Sequence, residues 1–230
     1  MIPWSTVSRL VAVALSLSLC SGCSRLPIED GQKIGSLVQV KDSFTSCFLL
    51  EYEPGQVAFF DACYKDSGRA VEGALEDRNL SPRAVQSVFL THGHSDHLGG
   101  LSVLPQTTVH ALAAERSLVS EEGGRVDVAL QDGDEIELGS HVVRVFAVTG
   151  HTAGSAVYEV DGVLVMGDTV IAQKDGSLAP PPERYSDRPA ENNESVRELV
   201  DRLDAAEIDI QWVAPSHSGP VRGSKALRRF

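Results

Sequence analysis

The chain has 230 residues, of which 42% are apolar and 23% are charged, a balance that excludes a wholly disordered, collagen-like or coiled-coil protein. Acidic residues outnumber basic ones by 32 to 20, and the resulting net charge of −12 argues against a nucleic-acid-binding protein. The length suits a single domain with a sizeable hydrophobic core.

Residues 1–22 are predicted to form a targeting segment. Arg9 lies in an apolar run, VSRLVAVALSLSL, that is shorter than the roughly 20 residues needed to span a bilayer, so a signal peptide is indicated. The following LCSGC resembles a bacterial lipobox, in which Cys23 would accept the lipid; an ordinary cleaved signal is the alternative. We therefore expect an exported protein that is anchored to the cell envelope (outer membrane or periplasm) through a lipid on Cys23. Without the lipid, the protein would be secreted or periplasmic. Residues 23–36 are predicted to form a polar tether.

The predicted folded domain opens with two strand-like segments, at residues 37–41 and in a hairpin over 45–62. A turn centred near Pro54–Gly55 would place Cys47 opposite Cys63 across the two strands. A disulfide between them is expected in an oxidising compartment, and two buried thiols are the alternative.

Strand and helix patterns alternate along the rest of the chain. They comprise a helix at 67–79, a strand at 84–90, short helices at 98–104 and 111–120 around the strand TTVHA, hairpins at 134–148 and 155–168, a proline-rich loop at 179–190, a helix from about 194 to 206 and a last strand at 208–215. No linker interrupts residues 37–222, so this range is predicted to be one α/β domain.

A histidine-rich motif, H-x-H-x-D-H, follows the predicted strand 84–90 and is formed by His92, His94, Asp96 and His97. Loops at strand ends hold binding sites in many α/β proteins. Imidazole and carboxylate groups are ligands that suit Zn²⁺. The motif therefore predicts a metal site.

Three further candidate ligands, His151, Asp168 and His217, also follow predicted strands and lie in turns rich in Gly, Ser or Thr. All of these loops could converge at one edge of a sheet. Seven ligands exceed the need of a single tetrahedral zinc, so two metal ions are predicted. Zinc is the expected metal, and iron or manganese remains open.

The segments THGHSDHLGG, TGHTAGS, VMGDT and PSHSGP resemble those of the metallo-β-lactamase superfamily. The resemblance implies a four-layer αββα sandwich with the metals at one edge of its two sheets. It also implies that His92, His94 and His151 hold one metal, that Asp96, His97 and His217 hold the second, and that Asp168 bridges the pair. The segment FFDAC departs from the family's Asp-Thr-Gly turn at Ala62 and Cys63.

The implied activity is hydrolysis of a thioester, lactone, ester or lactam in a small acyl substrate, by a hydroxide held between two metals. Asp168 resembles the bridging acid of the glyoxalase-II-like and lactonase-like branch, and Asp96 would return a proton to the leaving group. The alternatives are a non-catalytic metal-binding surface lipoprotein and an iron-dependent sulfur dioxygenase of the same fold. The oligomeric state is left open.

Other polar and aromatic residues receive supporting roles. His110 and His141 are assigned structural or surface positions, and Asp61 is expected to accept hydrogen bonds that support the metal loops. The substrate cavity is expected to be lined by residues 172–190 and by the region after Asp61. Within it, Tyr185 is either an ordinary loop aromatic or a substrate contact. Four hydroxyl residues adjoin the predicted ligands and could orient their rings: Thr91, Thr149, Thr152 and Ser216.

Overall fold

The computed structural model describes residues 25–230. The predicted signal peptide, residues 1–22, and the predicted lipid site, Cys23, lie outside this range. No helix within residues 25–230 is both long enough and apolar enough to cross a bilayer.

Seven strands form the first sheet, and their spatial order follows the chain. They are β1 (Lys33–Ile34), β2 (Leu37–Asp42), β3 (Thr45–Glu53), β4 (Gln56–Phe60), β5 (Val85–Phe89), β6 (Thr108–Leu112) and β7 (Val128–Leu130). The strands from β1 to β4 pair antiparallel, whereas those from β4 to β7 pair parallel. Parallel neighbours need crossover connections, and helices α1 (Arg69–Glu76) and α2 (Arg116–Glu121) lie in two of them.

The second sheet has six strands in the order β15-β14-β11-β10-β9-β8. The remaining elements are β8 (Glu135–Leu138), β9 (His141–Ala147), β10 (Ala156–Val160), β11 (Val163–Gly167), the small pair β12 (Ile171–Ala172) and β13 (Leu178–Ala179), α3 (Pro189–Ala205), β14 (Trp212–Pro215) and β15 (Val221–Arg222). Strands β11 and β14 are parallel, and the other pairs are antiparallel.

Three hydrophobic clusters separate the layers. Along β3, Phe48 and Leu50 face the second sheet, whereas Leu49 faces the cluster that includes Val71 and Leu75 of α1. This alternation is the period-2 pattern of a strand buried on both sides. A third cluster packs Val196, Leu199 and Leu203 of α3 against the outer face of the second sheet. The order helix, sheet, sheet, helix confirms the expected four-layer αββα sandwich.

The structure corrects both boundaries of the predicted domain. The tether was predicted at residues 23–36, but its described part packs on the domain: Leu26 hydrogen-bonds with Ala172, and β1 pairs with β2. Ile34 is fully buried, so residues 25–36 belong to the fold because they complete the edge of the first sheet. At the other end, Leu227 is buried beyond the predicted limit at residue 222.

The disulfide between Cys47 and Cys63 is present, but the predicted strand register is wrong. Phe48 pairs with Phe60, so Cys47 does not lie directly opposite Cys63. A β-bulge between Glu51 and Glu53 shifts the pairing. Cys63 follows β4 and reaches Cys47 because the chain turns there.

Two elements near the C-terminus also differ from the prediction. Helix α3 begins at Pro189, five residues before the predicted start, because proline is well suited to the first turn of a helix. The last predicted strand, 208–215, is shorter and begins at Trp212.

Candidate metal centre

The seven predicted ligands lie at one edge of the sandwich because the four strands that lead to them end there, together with β4. The parallel strands β4 and β5 lead to Asp61 and to the H-x-H-x-D-H motif. Strands β9, β11 and β14 run in the same direction and lead to His151, Asp168 and His217. Hydrogen bonds join the sheets at this edge, including one from Ala156 N–H to the carbonyl of Thr91 at 2.7 Å.

The first group of side chains consists of His92, His94 and His151. The Nε2 atom of His92 lies 3.0 Å from Nδ1 of His94 and 3.2 Å from Nε2 of His151. The remaining pair, His94 Nδ1 and His151 Nε2, is 3.1 Å apart. Three nitrogens bound to one tetrahedral zinc at about 2.0–2.1 Å lie roughly 3.3 Å apart, so this triangle fits such an ion.

The second group consists of Asp96, His97 and His217. Oδ2 of Asp96 lies 3.2 Å from Nε2 of His217 and 3.8 Å from Nε2 of His97. Asp168 lies between the groups, since its Oδ2 is 2.9 Å from Nε2 of His217 and 3.7 Å from Nε2 of His151. The carboxylate therefore reaches both groups at once.

Two buried atoms in this cluster lack hydrogen-bond partners within residues 25–230. They are Nε2 of His97 and Oδ1 of Asp168, which lie 3.3 Å apart. Buried polar atoms are normally paired, so unpaired atoms that face the same gap call for another partner. A divalent cation such as zinc fits this donor set.

The outer nitrogens of the imidazoles contact other parts of the protein. Nδ1–H of His97 donates to Oδ2 of Asp61 at 2.8 Å, and Nδ1–H of His217 donates to the carbonyl of Phe44 at 3.0 Å. The Nδ1 atom of His92 lies 3.1 Å from the hydroxyl of Thr91. Such contacts fix the tautomer and direct the Nε2 lone pair towards a metal.

The electrostatics differ between the two groups. Burial lowers the pKa of His151 to about 4 and holds the pKa of His92 well below its usual range. Burial also lowers the pKa of His217, but Asp168 outweighs it and raises the value to about 10. For Asp168, burial raises the pKa, but His97 and His217 outweigh it and hold the pKa well below its usual range. At neutral pH the rings of His92 and His151 are therefore in the neutral form that binds a metal, and Asp168 is in the ionised form, whereas His217 would have to release a proton to bind one.

The supporting residues follow the predictions only in part. Asp61 is fully buried and accepts hydrogen bonds from Thr91 and His97, as expected of a loop-supporting acceptor. Thr149 instead donates to Glu191, and the hydroxyl of Ser216 has no partner within residues 25–230.

The two remaining histidines lie outside the cluster. His110 is buried against Phe89, with its ring centroid 4.6 Å from the phenyl ring. His141 pairs with Asp161 at 2.6 Å on the surface. These positions match the structural and surface roles expected from the sequence.

A cavity of about 670 Å³ opens over the cluster. Its lining includes Tyr64 and residues 181–182 and 184–187, which agrees with the expectation that the wall comes from these two regions. Phe44 and Arg25 also line it, and sequence reasoning missed both because neither lies in a recognisable motif. The ring of Phe44 stacks on His217 with centroids 5.6 Å apart.

Sequence comparison gives one family and a set of relatives. A family model described as the metallo-beta-lactamase superfamily matches residues 40–217. The chain is 40% identical over 134 residues to a hydroxyacylglutathione hydrolase from Methylococcus capsulatus, an alignment that covers 56% of this chain and 49% of the relative. It is 32% identical over 138 residues to a protein of the same name from Photobacterium profundum, covering 58% and 49% respectively. The chain thus spans about half the length of these curated relatives.

Comparison with solved structures supports the fold. A metallo-beta-lactamase from Pontibacter korlensis aligns with a TM-score of 0.69 at 18% identity, covering 86% of this chain and 95% of that protein. At this level of identity the likeness concerns the fold alone.

Proposed function

The chain belongs to the metallo-β-lactamase superfamily. From this membership and the geometry of the site, we propose that it is a zinc-dependent hydrolase of acyl compounds. A thioester is the favoured substrate. The observation that carries the proposal is the position of Asp168 between two groups of ligands. The thioester is favoured because similar proteins are named hydroxyacylglutathione hydrolases. Lactones, esters and lactams are the other acyl compounds to be tested.

In the proposed mechanism, His92, His94 and His151 would hold one zinc ion, and Asp96, His97 and His217 would hold a second. The carboxylate of Asp168 lies within reach of both groups. When bound, two such ions would supply a nucleophilic hydroxide at neutral pH and would polarise the carbonyl of the substrate. The chain contributes the orientation of the imidazoles, through Asp61, Thr91 and the carbonyl of Phe44. Asp96 lines the cavity, where its carboxylate can accept a proton and return it to the leaving group.

The lining of the cavity favours a substrate that carries an apolar group. Three of the exposed large hydrophobic side chains, Phe44, Tyr64 and Tyr185, line its opening. Phe44 and Tyr64 contact each other, with ring centroids 4.9 Å apart. Aromatic rings that remain exposed in the free protein can bury an acyl chain when substrate binds. We therefore assign Tyr185 a substrate contact.

Metal content and turnover test the proposed hydrolase. The zinc-loaded protein is assayed on a hydroxyacylglutathione thioester, other thioesters, a lactone and a β-lactam. His92→Ala should abolish turnover and lower the zinc content, whereas His141→Ala, a matched change at a surface histidine, should affect neither. Wild-type protein that binds no zinc, or that binds zinc and cleaves none of these compounds, would contradict the proposal. Iron in natively purified protein would favour the dioxygenase alternative.

We also propose that the chain is exported and lipid-anchored through Cys23. The support is the apolar N-terminal run and the lipobox-like LCSGC. Arg25, only two residues after Cys23, lines the cavity. Two extended residues span at most about 7 Å, so the anchor would hold the cavity opening close to a membrane surface.

Labelling with a radioactive fatty acid in bacterial cells tests the anchor. Cys23→Ala should abolish the label and release the protein from the membrane fraction. Cys20→Ala is the matched control, because Cys20 is the neighbouring cysteine that fits a lipobox less well. Label that persists in Cys23→Ala would contradict the assignment.

A further inference from the structure

A buried glutamate outside the seven-residue cluster joins two of the loops that carry it. Glu115 is 1% exposed and lies immediately before α2. Its Oε2 accepts a hydrogen bond from the backbone N–H of Gly93 at 2.8 Å. Its Oε1 accepts two more, from the N–H of Gly154 and from the hydroxyl of Thr152, both at 2.7 Å.

These donors lie next to the three histidines of the first group. Gly93 separates His92 from His94, and Thr152 directly follows His151. The two loops come from different sheets, and apart from Glu115 the backbone hydrogen bond from Ala156 N–H to the carbonyl of Thr91 joins the chain beside them. Glu115 contacts each loop with a different oxygen of a single carboxylate.

Both loops approach the start of α2 too closely for a side chain at the contact. A Cβ atom on Gly93 would lie 2.9 Å from the backbone nitrogen of Val119 and 3.1 Å from Oε2 of Glu115. A Cβ atom on Gly154 would lie 2.8 Å from the backbone nitrogen of Glu115. Glycine at these two positions is therefore required by the close packing around Glu115.

We propose that Glu115 is a positioning residue that sets the separation of the His92–His94 turn from His151, and thereby the metal affinity of the first group. This inference rests on the proposed metal-binding role of these histidines. A buried carboxylate is costly unless it is hydrogen-bonded, and the three neutral donors compensate that cost. Because each carboxylate oxygen accepts hydrogen bonds from a different loop, the side chain fixes the distance between the two loops.

The replacement Glu115→Gln separates this role from simple packing. Glutamine has nearly the same size but only one acceptor oxygen, so its amide nitrogen must face a donor of one loop. Glu121→Gln is the matched control, because it makes the same chemical change at an exposed residue of α2. Zinc affinity is measured by competition with a coloured chelator, and thermal unfolding of the metal-free proteins reports the stability.

We expect Glu115→Gln to bind zinc at the first group about 10- to 100-fold more weakly, as replacements of residues that orient metal ligands do, so at least one zinc equivalent should show this loss in the competition. Glu121→Gln should match the wild type. A Glu115→Gln protein that loses thermal stability but keeps wild-type zinc affinity within twofold would overturn the inference and leave the proposed function intact. Wild-type protein that binds no zinc would instead overturn the proposed function.

If Glu115→Gln does not fold, Thr152→Val decides the question. This change removes only one of the three donors to the carboxylate and conserves the side-chain volume. Zinc affinity should fall about tenfold, the lower end of the range for residues that support metal ligands. An affinity within twofold of the wild type would overturn the inference.

Discussion

The disulfide between Cys47 and Cys63 should contribute a large share of the stability of the folded domain. The two cysteines are 16 residues apart, and closing a loop of that size in the unfolded chain corresponds to about 3 kcal/mol. Reduction should therefore lower the free energy of unfolding by about 3 kcal/mol. For a protein of this length, the melting temperature should fall by about 6–12 °C.

Denaturation by guanidinium chloride, with and without a reductant, measures this contribution. The double variant Cys47→Ala/Cys63→Ala is the control, since reductant should not change its stability. The reduced wild type must be compared with oxidised protein at the same pH and metal concentration, because zinc binding also stabilises the fold. A loss below about 1 kcal/mol would refute the loop-closure reasoning.

Three further results are expected. Asp61→Asn should weaken zinc binding at the second group about 10- to 100-fold in chelator competition, because an amide cannot accept from Thr91 and His97 as the carboxylate does; unchanged affinity would contradict this role. Tyr185→Ala should raise KM about threefold to tenfold and leave kcat unchanged, because the ring is expected to bind the substrate and the transition state equally. Steady-state kinetics measure both constants, and an unchanged KM would contradict the substrate contact. Burial lowers the pKa of His110, so the unfolded chain binds more protons than the folded chain between that lowered pKa and about 6.5, and stability falls as the pH drops through this window. The variant His110→Phe should therefore lose less stability than the wild type between pH 7 and pH 5 in denaturant titrations, and an equal loss would argue against a contribution from His110.

The sequence predicted the site more completely than the elements around it. The spacing of His92, His94, Asp96 and His97 at a strand end is a local pattern, and the later ligands each follow a recognisable strand. Strand direction then brings them to one edge, which is why the convergence could be anticipated. Glu115 could not be found in this way, because its partners are backbone N–H groups of two distant loops. Nothing in the surrounding ALAAER distinguishes it from a solvent-exposed glutamate.

The predictions that were wrong depend on contacts between distant parts of the chain, which a local sequence pattern does not reveal. The segment before residue 37 was expected to be a tether because it is polar, yet the single residue Ile34 buries itself under the edge of the first sheet. The β3–β4 register was inferred from the turn alone, and the bulge at Glu51 and Glu53 changed it. Helix α3 starts early because Pro189 suits a first turn, whereas the periodicity of its apolar face becomes visible only later.

The distribution of ligands between the sheets means that neither half of the polypeptide can assemble the centre by itself. The segment through β7 supplies two nitrogens of the first triangle, and the segment from β8 onward supplies the third, together with Asp168 and His217. A zinc ion bound there would link the two halves of the chain. Separation of the two sheets would then release the metal. A proteolytic cut in the turn between β7 and β8 should therefore destabilise the metal-free protein more than the zinc-loaded protein.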